Sequence, residues 1–401
     1  MELEEIMARH NPWWEGRYES PGIQRTSYIH EMSEKVEKRR LVLVYGLRRV
    51  GKTYCMKQYV ANLLDKVDPE HVFYMSIDHP AIEGMPLHDL LDEYRKMFML
   101  SRYDKVYILL DEIQNRSDFE KELKGIYDLE ENVYLVGAGS NSLMVKHKSS
   151  ALTGRHARMH INSLSFEEFI KFREVDIKRS EKFKERKALE EYMYWGGMPE
   201  YVLKEDPEYI EDMVDDIIYK DIVPRYGVED PVLMKKLFLL LCERVGKRVT
   251  SSKLARVLKL SHDTVTSYLN HFKETYLIDL IEKEGTPNER TYAPKKAYIC
   301  DVGVLNVMRG KVEEGALAEN LVFQRLREDG VPRYIMKNSK EIDFFLDDRA
   351  YEVKFRDNIT KDDIKNILTV KMDEIKERTV IAKEKGSIED IQIISLMDFI
   401  R

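Results

Sequence analysis

The sequence predicts an α/β protein that begins with a parallel sheet and continues into smaller domains. Two apolar runs, residues 41–45 and 106–110, have the length and composition of buried parallel strands. A glycine-containing turn and a helix-forming segment follow the first run, and two acidic residues follow the second. Because 401 residues are too many for one average domain, we expect about two to four domains, each with its own core.

The composition excludes several classes of protein. The chain is 43% hydrophobic and 34% charged, and its net charge of −7 argues against a protein that coats nucleic acid over its whole surface, although local basic patches stay open. Cys55, Cys242 and Cys300 stand far apart, which fits a reducing compartment and gives no cysteine metal site. No signal peptide is visible, and no stretch approaches the ~20 apolar residues of a membrane span. We therefore expect a cytoplasmic protein without a membrane partner.

The turn after the first apolar run has the spacing of a P-loop. In LVLVYGLRRVGKT, Gly46 is followed after four residues by Gly51, Lys52 and Thr53. In such a loop the backbone N–H groups surround a β-phosphate at a helix N-terminus, the lysine reaches the β- and γ-phosphates, and the hydroxyl binds Mg²⁺. Because the flanking segments agree with the motif, we predict ATP and Mg²⁺ rather than a chance glycine-rich turn. The residues expected around the nucleotide are Gly46, Leu47, Arg48, Arg49, Val50, Gly51, Lys52, Thr53 and Tyr54.

The second apolar run ends in an acidic pair, Asp111 and Glu112, within KVYILLDEIQ. Acids at the carboxyl end of a central strand lie at the edge where ligands bind in an open α/β sheet. We expect Asp111 to orient Mg²⁺ through water and Glu112 to polarise the water that attacks the γ-phosphate. Acids after a strand are often only helix caps, but that alternative is weaker downstream of a P-loop.

Three further side chains are candidates for contact with the γ-phosphate. The predicted strand over residues 132–139 ends in Ser140 and Asn141, and either side chain could sense loss of the phosphate. Arg155, together with Arg158, is expected on a loop after the nucleotide core. It could act as an arginine finger or be an ordinary surface residue.

Two helical segments flank this region. In residues 1–40, the paired Trp13 and Trp14 could cover an adenine, but we favour a plug that packs on the core. Residues 166–231 are helical and charged, and we interpret them as a lid or linker bundle in which Pro224 stops a helix.

Residues 232–300 predict a helix-turn-helix with a wing. Two helical segments are accompanied by four plausible capping residues, Thr250, Ser251, Ser261 and Asp263. Two predicted strands, 277–284 and 290–300, come next. The outward face of the second helix is polar but weakly basic, so backbone docking on DNA is favoured over base reading, and a purely structural role stays open. That face comprises His262, Thr264, Thr266, Asn270 and Lys273.

The segment KEIDFFLDDRAYEVKF, residues 340–355, predicts a hairpin with a two-residue turn. This register places Asp343 opposite Glu352, and Glu341 opposite Lys354. Facing carboxylates cost stability, so we expect a divalent cation to bridge them, with Lys354 beside it to position water or stabilise a phosphorane. The alternative is a solvated acidic face. Glu319, inside the apolar run ALAENLVF, could join the site or lie at a boundary between faces.

These motifs together resemble one known family. GLRRVGKT, ILLDEIQ, GSNSL, LTGR with SFEEF, GGMPEY, GALAENLVF and EIDFF…YEVKF are similar to segments of prokaryotic, archaeal-type AAA-family P-loop ATPases whose C-terminal domain of unknown function resembles PD-(D/E)XK nucleases. The resemblance implies an N-terminal extension and AAA-type ATPase domain over 1–165, a helical lid over 166–231, a winged helix over 232–300 and a restriction-endonuclease-like α/β domain over 301–401. No proline precedes Asp343, where the nuclease motif usually has one.

The resemblance also implies roles by position. The residues concerned are Lys52 and Thr53 in Walker A, Asp111 and Glu112 in Walker B, Asn141 or Ser140 as sensor, Arg155 as finger, and Glu319, Asp343, Glu352 and Lys354 as the nuclease core with Mg²⁺ or Mn²⁺. The expected function is an ATPase that couples nucleotide state to DNA binding and metal-dependent DNA cleavage. The alternatives are a nucleotide-switched regulator with an inactive nuclease-like tail and a remodeller of a partner protein. A homo-oligomer is compatible with each.

Overall fold

The computed structural model describes residues 2–116, 118–140, 152, 154–176 and 182–401 and divides the chain after Asn162. Unit 1 is Met1–Asn162, and unit 2 is Ser163–Arg401. This boundary lies close to the predicted one at 165, and the three later predicted domains all fall within unit 2. Within the described ranges, no helix combines the length and the apolar character needed to cross a membrane.

Unit 1 is built on a parallel sheet, as the apolar runs predict. Its strands are β1 (Leu41–Tyr45), β2 (Val72–Ser76), β3 (Val106–Asp111), β4 (Val133–Gly139) and β5 (His156–His160). Among the described residues they pair in the order β2-β3-β4-β1-β5, and every pairing is parallel. All carboxyl ends therefore lie at one edge of the sheet, where the loops after β1 and β3 begin and β4 ends.

Helices cover the sheet of unit 1. They are α1 (Leu3–His10), α2 (Thr26–Glu37), α3 (Lys52–Leu64), α4 (Leu87–Met97) and α5 (Phe119–Leu129). Strand β3 is buried along its whole length, as expected for a parallel sheet covered on both faces.

The paired tryptophans are a core plug, which confirms the favoured interpretation. The indole N–H groups of Trp13 and Trp14 both donate to the Val72 carbonyl, at 2.9 and 3.0 Å. Trp14 also stacks on Phe73 and Tyr94. The pair therefore fixes the N-terminal segment to β2 and is not an adenine lid.

Unit 2 begins with a run of helices. They are α6 (Phe166–Phe172), α7 (Lys182–Trp195), α8 (Pro199–Lys204), α9 (Pro207–Asp215), a π-helical segment Asp216–Ile222, α10 (Val223–Tyr226) and α11 (Pro231–Cys242). The prediction that Pro224 stops a helix is wrong. Pro224 lies directly after the π-helical segment, the backbone stays helical through it, and the helix ends instead at Gly227 in the left-handed region (φ +62°).

Two helices and a small antiparallel sheet follow. The elements are α12 (Ser251–Leu258), α13 (His262–Glu274), β6 (Arg248–Val249), β7 (Ile278–Ile281), α14 (Pro287–Tyr292) and β8 (Lys295–Ile299), and the sheet order is β6-β8-β7. Of the four capping candidates, Thr250 and Ser261 cap α12 and α13 with their side chains. The second predicted strand is partly wrong, because its start lies in α14, which the Thr286–Glu289 capping box and a proline at its first position begin.

The C-terminal part of unit 2 is a mixed sheet flanked by helices. The remaining elements are α15 (Val302–Arg309), α16 (Glu314–Asp329), β9 (Arg333–Lys337), β10 (Lys340–Leu346), β11 (Arg349–Val353), α17 (Lys365–Thr369), β12 (Glu377–Ala382), β13 (Gly386–Ile388), β14 (Ile391–Ser395) and α18 (Leu396–Ile400). The sheet order is β13-β14-β12-β11-β10-β9. The predicted two-residue turn is confirmed, and so is the register beside it over Phe344–Leu346, since Leu346 pairs with Arg349 and Phe344 with Tyr351.

A buried aspartate ties the start of α15 to the glycine pair of GGMPEY. The Asp301 carboxylate accepts the N–H groups of Gly197 and Gly303, each at 2.8 Å. Burial raises the pKa of Asp301, although these N–H groups work in the opposite direction. A Cβ atom at Gly303 would lie 2.1 Å from the Trp195 carbonyl oxygen, so glycine is required for this close approach.

We predict that Gly303→Ala destabilises the protein by roughly 1–3 kcal/mol, because the added methyl group must displace backbone rather than a flexible side chain. Gly315→Ala is the matched control. Both glycines are the second residue of their helices, but a Cβ at Gly315 meets nothing within 4 Å, so that change should be neutral or stabilising by up to about 1 kcal/mol. Urea denaturation measures both. Equal unfolding midpoints for the two variants would contradict the close approach.

Candidate nucleotide site and acidic cluster

The turn between β1 and α3 requires glycine at two positions. Gly46 has φ +153°, and a Cβ there would lie 2.3 Å from the Ile161 carbonyl oxygen. Gly51 has φ +96° and precedes the first residue of α3, a conformation that glycine adopts at little cost. The backbone therefore bends sharply enough to direct N–H groups toward a bound anion at the N-terminus of α3.

The Lys52 side chain lies across its own loop. Its buried ammonium donates to the carbonyl oxygens of Gly46, at 3.1 Å, and Leu47, at 2.8 Å. A bound triphosphate would compete with these two carbonyls for the N–H donors of the Lys52 ammonium.

Thr53 and Asp111 meet directly, as the sequence predicts. The Thr53 hydroxyl donates to Asp111 Oδ2 at 2.5 Å, and the Tyr74 hydroxyl donates to the same oxygen at 3.0 Å. The Asp111 Oδ1 atom accepts the Glu112 N–H at 2.9 Å. Tyr74 was not found from the sequence. Burial, followed by the Asp111 charge, raises its pKa, so its hydroxyl stays protonated and can donate.

Glu112 adopts the left-handed conformation (φ +52°) as β3 ends, which is uncommon for a non-glycine residue and is found at functional sites. The Gln114 amide donates to its carboxylate. Burial first and Asp111 second raise the pKa of Glu112, whereas Lys52, Gln114 and Arg48 act in the opposite direction. A carboxylate in this setting accepts a proton more readily than an exposed glutamate.

The predicted sensor is only partly described. Ser140 follows β4, and its hydroxyl lies 3.4 Å from the Gln114 amide that also contacts Glu112. Ser140 is thus at the same edge as the acidic pair. Asn141, the other candidate, lies outside the described residues.

The remaining P-loop residues differ in exposure. Leu47 and Val50 are buried, whereas Tyr54 is exposed on the surface of α3. Any contact between Tyr54 and a nucleotide would therefore be made at the protein surface. The Val50 carbonyl accepts a hydrogen bond from Arg25 at 3.0 Å, and the same guanidinium nitrogen donates to Asn162 O at 3.1 Å. Arg25, which sequence analysis missed, therefore supports the loop from behind.

Arg155 lies at the opposite edge of the sheet from the P-loop. Its carbonyl accepts the N–H of Leu41, the first residue of β1, at 3.1 Å, so the length of a five-residue strand, about 13 Å, separates it from Tyr45 and the loop. Its guanidinium pairs with Asp128 at 2.7 Å. Arg158 is in β5 rather than on a loop, which corrects the prediction. Arg155 is therefore not placed to contact the nucleotide of its own chain.

The acidic residues of the C-terminal part do converge, but on a lysine that sequence analysis missed. The ammonium of Lys296, on β8, lies 2.8 Å from Glu319 Oε1, 3.0 Å from Asp343 Oδ1 and 3.1 Å from Glu341 Oε1. The Tyr298 hydroxyl donates to the same Glu319 oxygen at 2.7 Å. Glu341 is thus paired with Lys296, and not with Lys354 as the hairpin register suggested.

Glu352 and Lys354 lie beside this cluster. The Lys354 ammonium donates to Glu352 Oε1 at 2.6 Å, and Asp343 Oδ2 accepts the Val353 N–H at 3.0 Å. The other Glu352 oxygen, Oε2, is buried and has no hydrogen-bond partner among the described residues. Burial, followed by the Asp343 charge, raises the pKa of Glu352 to about 8.

The charge of Lys296 follows from its surroundings. Burial disfavours the ammonium, but Tyr298 and the carboxylates of Asp343, Glu319 and Glu341 outweigh it and keep the pKa of Lys296 well above its usual value. Within the described residues, no group of three or more histidine, cysteine, aspartate or glutamate side chains has a geometry that could bind a metal ion. In this arrangement the acids are therefore grouped around an ammonium.

Sequence comparisons agree with the geometry of unit 1. Residues 38–170 match a family described as an AAA domain. This segment is an AAA-type P-loop ATPase domain. Residues 186–314 match a family described as a domain of unknown function (DUF8612). The ATPase domain thus covers β1 to β5, and the second match covers α12, α13 and the sheet that carries Lys296.

Relatives extend beyond the ATPase domain. The uncharacterized protein MJ1544 of Methanocaldococcus jannaschii is 28% identical over 326 residues, which are 77% of this chain and 72% of that protein. An uncharacterized protein of Haemophilus influenzae is 27% identical over 402 residues, 94% of this chain and 98% of that one. Similarity therefore spans both units.

Solved structures show weaker likeness. The Walker-type ATPase PABY2304 of Pyrococcus abyssi is 16% identical, with a TM-score of 0.47, over 73% of this chain and 98% of that one. The Orc1 protein of Aeropyrum pernix, solved with DNA, is 14% identical, with a TM-score of 0.35, over 72% of this chain and 93% of that one. The assignment of the ATPase domain does not depend on either.

Proposed function

We propose that the chain binds ATP with Mg²⁺ at Gly46–Thr53 and hydrolyses it with the help of Glu112. The observation that carries this proposal is the hydrogen bond between Thr53 and Asp111, 2.5 Å long, at the sheet edge that also holds Lys52 and Glu112. Hydroxyl and carboxylate oxygens are ligands that Mg²⁺ prefers, so these two side chains fit the ion that accompanies a triphosphate. Mg²⁺, when bound, would neutralise charge on the phosphates.

Each protein group has a separate task in this proposal. The loop N–H groups and the N-terminus of α3 hold the phosphates, and Lys52 exchanges the Gly46 and Leu47 carbonyls for phosphate oxygens. Glu112 polarises the attacking water and accepts its proton, and its raised pKa favours that step. Gln114 orients the Glu112 carboxylate and links it to Ser140, which would report on the γ-phosphate.

We predict that Glu112→Gln retains ATP binding but lowers turnover by about 10²–10⁴-fold, because an amide cannot accept the proton. Glu131→Gln, an exposed acid that precedes β4 at the opposite edge, is the matched control and should turn over ATP normally. Phosphate release and the binding of a fluorescent ATP analogue give the two readouts. Normal turnover by Glu112→Gln would show that another group activates the water.

Arg155 would serve a neighbouring chain. It lies at the amino edge of the sheet, beside β5, and its guanidinium is partly exposed while it pairs with Asp128. An arginine on this edge can reach the nucleotide of a second copy that docks its carboxyl edge there, which makes the active form a homo-oligomer.

We expect Arg155→Ala and Lys52→Ala each to be inactive alone and to restore ATP turnover when mixed. The Lys52→Ala copy lacks a working P-loop but supplies Arg155 to the intact P-loop of the other variant. Mixing Arg155→Ala with Arg155→Ala/Lys52→Ala is the control, since neither chain then carries the arginine. Turnover that stays absent in the first mixture, although the chains exchange, would rule out action between subunits.

Unit 2 would couple nucleotide state to DNA. The helices α12 and α13 with the sheet β6-β8-β7 have the element order of a winged helix. Lys253 and Arg256 are exposed on α12, and the exposed Lys259 follows it directly. His262 and Asn270 are exposed on α13. These groups suit phosphate contacts more than base reading.

Two roles compete for the C-terminal acids. Their convergence favours metal-dependent DNA cleavage by Glu319, Asp343, Glu352 and Lys354, with Mg²⁺ or Mn²⁺. The Lys296 ammonium among them favours the alternative, a nucleotide-switched regulator whose nuclease-like tail does not cut, because an ion pair already uses the carboxylates. We propose that the arrangement with Lys296 among the carboxylates is the resting state, in which the protein acts as this regulator and does not cut DNA.

A further inference from the structure

Lys296 is buried by its position in the small sheet. It lies on the central strand β8, opposite Arg248 of β6 and Ile281 of β7, and its side chain is 1% exposed. The adjacent Lys295 points the other way and pairs with Glu282 at 2.9 Å, as the alternation of a strand requires. A lysine is almost never fully buried without partners, so the inward position of Lys296 depends on the acids that it meets.

The ammonium is matched to three carboxylates. It has three N–H donors, and Glu319, Glu341 and Asp343 each offer one oxygen within 3.1 Å. The backbone closes in as well, because a Cβ at Gly246 would lie 2.8 Å from Glu319 Oε2. The cluster thus encloses a cation with oxygen ligands supplied by α16 and β10.

A second observation shows that the cluster has further capacity for a cation. Glu352 is 2% exposed, and its Oε2 atom lacks a hydrogen-bond partner among the described residues. The next residue, Val353, donates its backbone N–H to Asp343 Oδ2 at 3.0 Å, so Glu352 lies beside the acids that Lys296 binds. An unpaired buried oxygen costs free energy that a metal ion could recover.

We propose that Lys296 and a divalent cation are alternative occupants of these carboxylates, so that β8 closes the acidic site against metal until Lys296 is withdrawn. Metal–oxygen bonds of about 2.0–2.6 Å need the oxygens that the ammonium contacts, and the two positive charges would repel each other at that range. The inference rests on the acidic site of the proposed function. It adds that a residue outside the nuclease-like segment controls access to it.

The consequence is a metal site that a single substitution opens. Lys296→Met keeps an unbranched side chain but removes the ammonium that Glu319, Glu341 and Asp343 share. Glu341 then keeps its ion pair with Arg248, and Glu352 keeps its ion pair with Lys354. Lys295→Met is the matched control, because it removes the neighbouring charge from the same strand, outside the cluster. Lys296→Met/Asp343→Asn removes one ligand from the opened site.

The test is a Mn²⁺ titration of nucleotide-free protein, with free Mn²⁺ measured by electron paramagnetic resonance. We expect Lys296→Met to bind one additional Mn²⁺ per chain at least about 100-fold more tightly than wild type, and we expect neither Lys295→Met nor the double variant to do so. Equal binding by wild type and Lys296→Met would overturn the competition. A folded Lys296→Met that gains no Mn²⁺ affinity would overturn it too.

Folding of the variant is part of the test. If Lys296→Met is unfolded without metal, circular dichroism should show that Mn²⁺ refolds it, because the ion replaces the missing charge. A variant that Mn²⁺ does not refold would contradict the proposal. ATP turnover by the same preparations is a separate readout, so loss of the ATPase proposal and loss of this one are distinguishable.

Discussion

The hydrogen bond between the Thr53 hydroxyl and the Asp111 carboxylate is the contact on which the arrangement of the ATPase domain depends. It exists because β1 and β3 run parallel in the same sheet, so their carboxyl ends meet at one edge. Gly46 and Gly51 allow the turn that begins α3 beside that edge. Lys52, Glu112 and Ser140 reach the site for the same reason, whereas Arg155, before β5, is excluded from it.

The two charged centres of the protein handle buried charge in different ways. At the P-loop, Lys52 is held by carbonyl oxygens of its own turn, which a triphosphate can replace. In the C-terminal part of unit 2, Lys296 is held by full carboxylate charges of Glu319, Glu341 and Asp343, and removing one partner of such a buried cluster is expensive. The first centre is therefore suited to exchange a ligand at each cycle, and the second to stay closed unless β8 moves.

Sequence patterns predicted those features that local rules determine. Short segments were enough to predict the P-loop spacing, the acidic pair after β3 and the β10–β11 register. In the hairpin, side chains alternate between faces with a period of two, so only one register is compatible with a two-residue turn. Tyr74, Arg25 and Lys296 were missed because each acts on residues distant in sequence. A lysine that precedes an apolar run is expected to be exposed to solvent at the end of a strand. Only the packing of β8 on α16 and β10 turns Lys296 inward. The assignment of Arg158 to a loop failed because LTGRHARMH lacks the apolar run that marked the other strands.

A crystal structure with Mg²⁺ and a non-hydrolysable ATP analogue would show whether this edge of the sheet binds the nucleotide. We expect Lys52 to leave the Gly46 and Leu47 carbonyls for phosphate oxygens, Thr53 and Asp111 to flank the ion, and Glu112 to face the γ-phosphate. A nucleotide bound elsewhere, or a Lys52 that keeps its hydrogen bonds to Gly46 and Leu47 in the complex, would contradict this expectation.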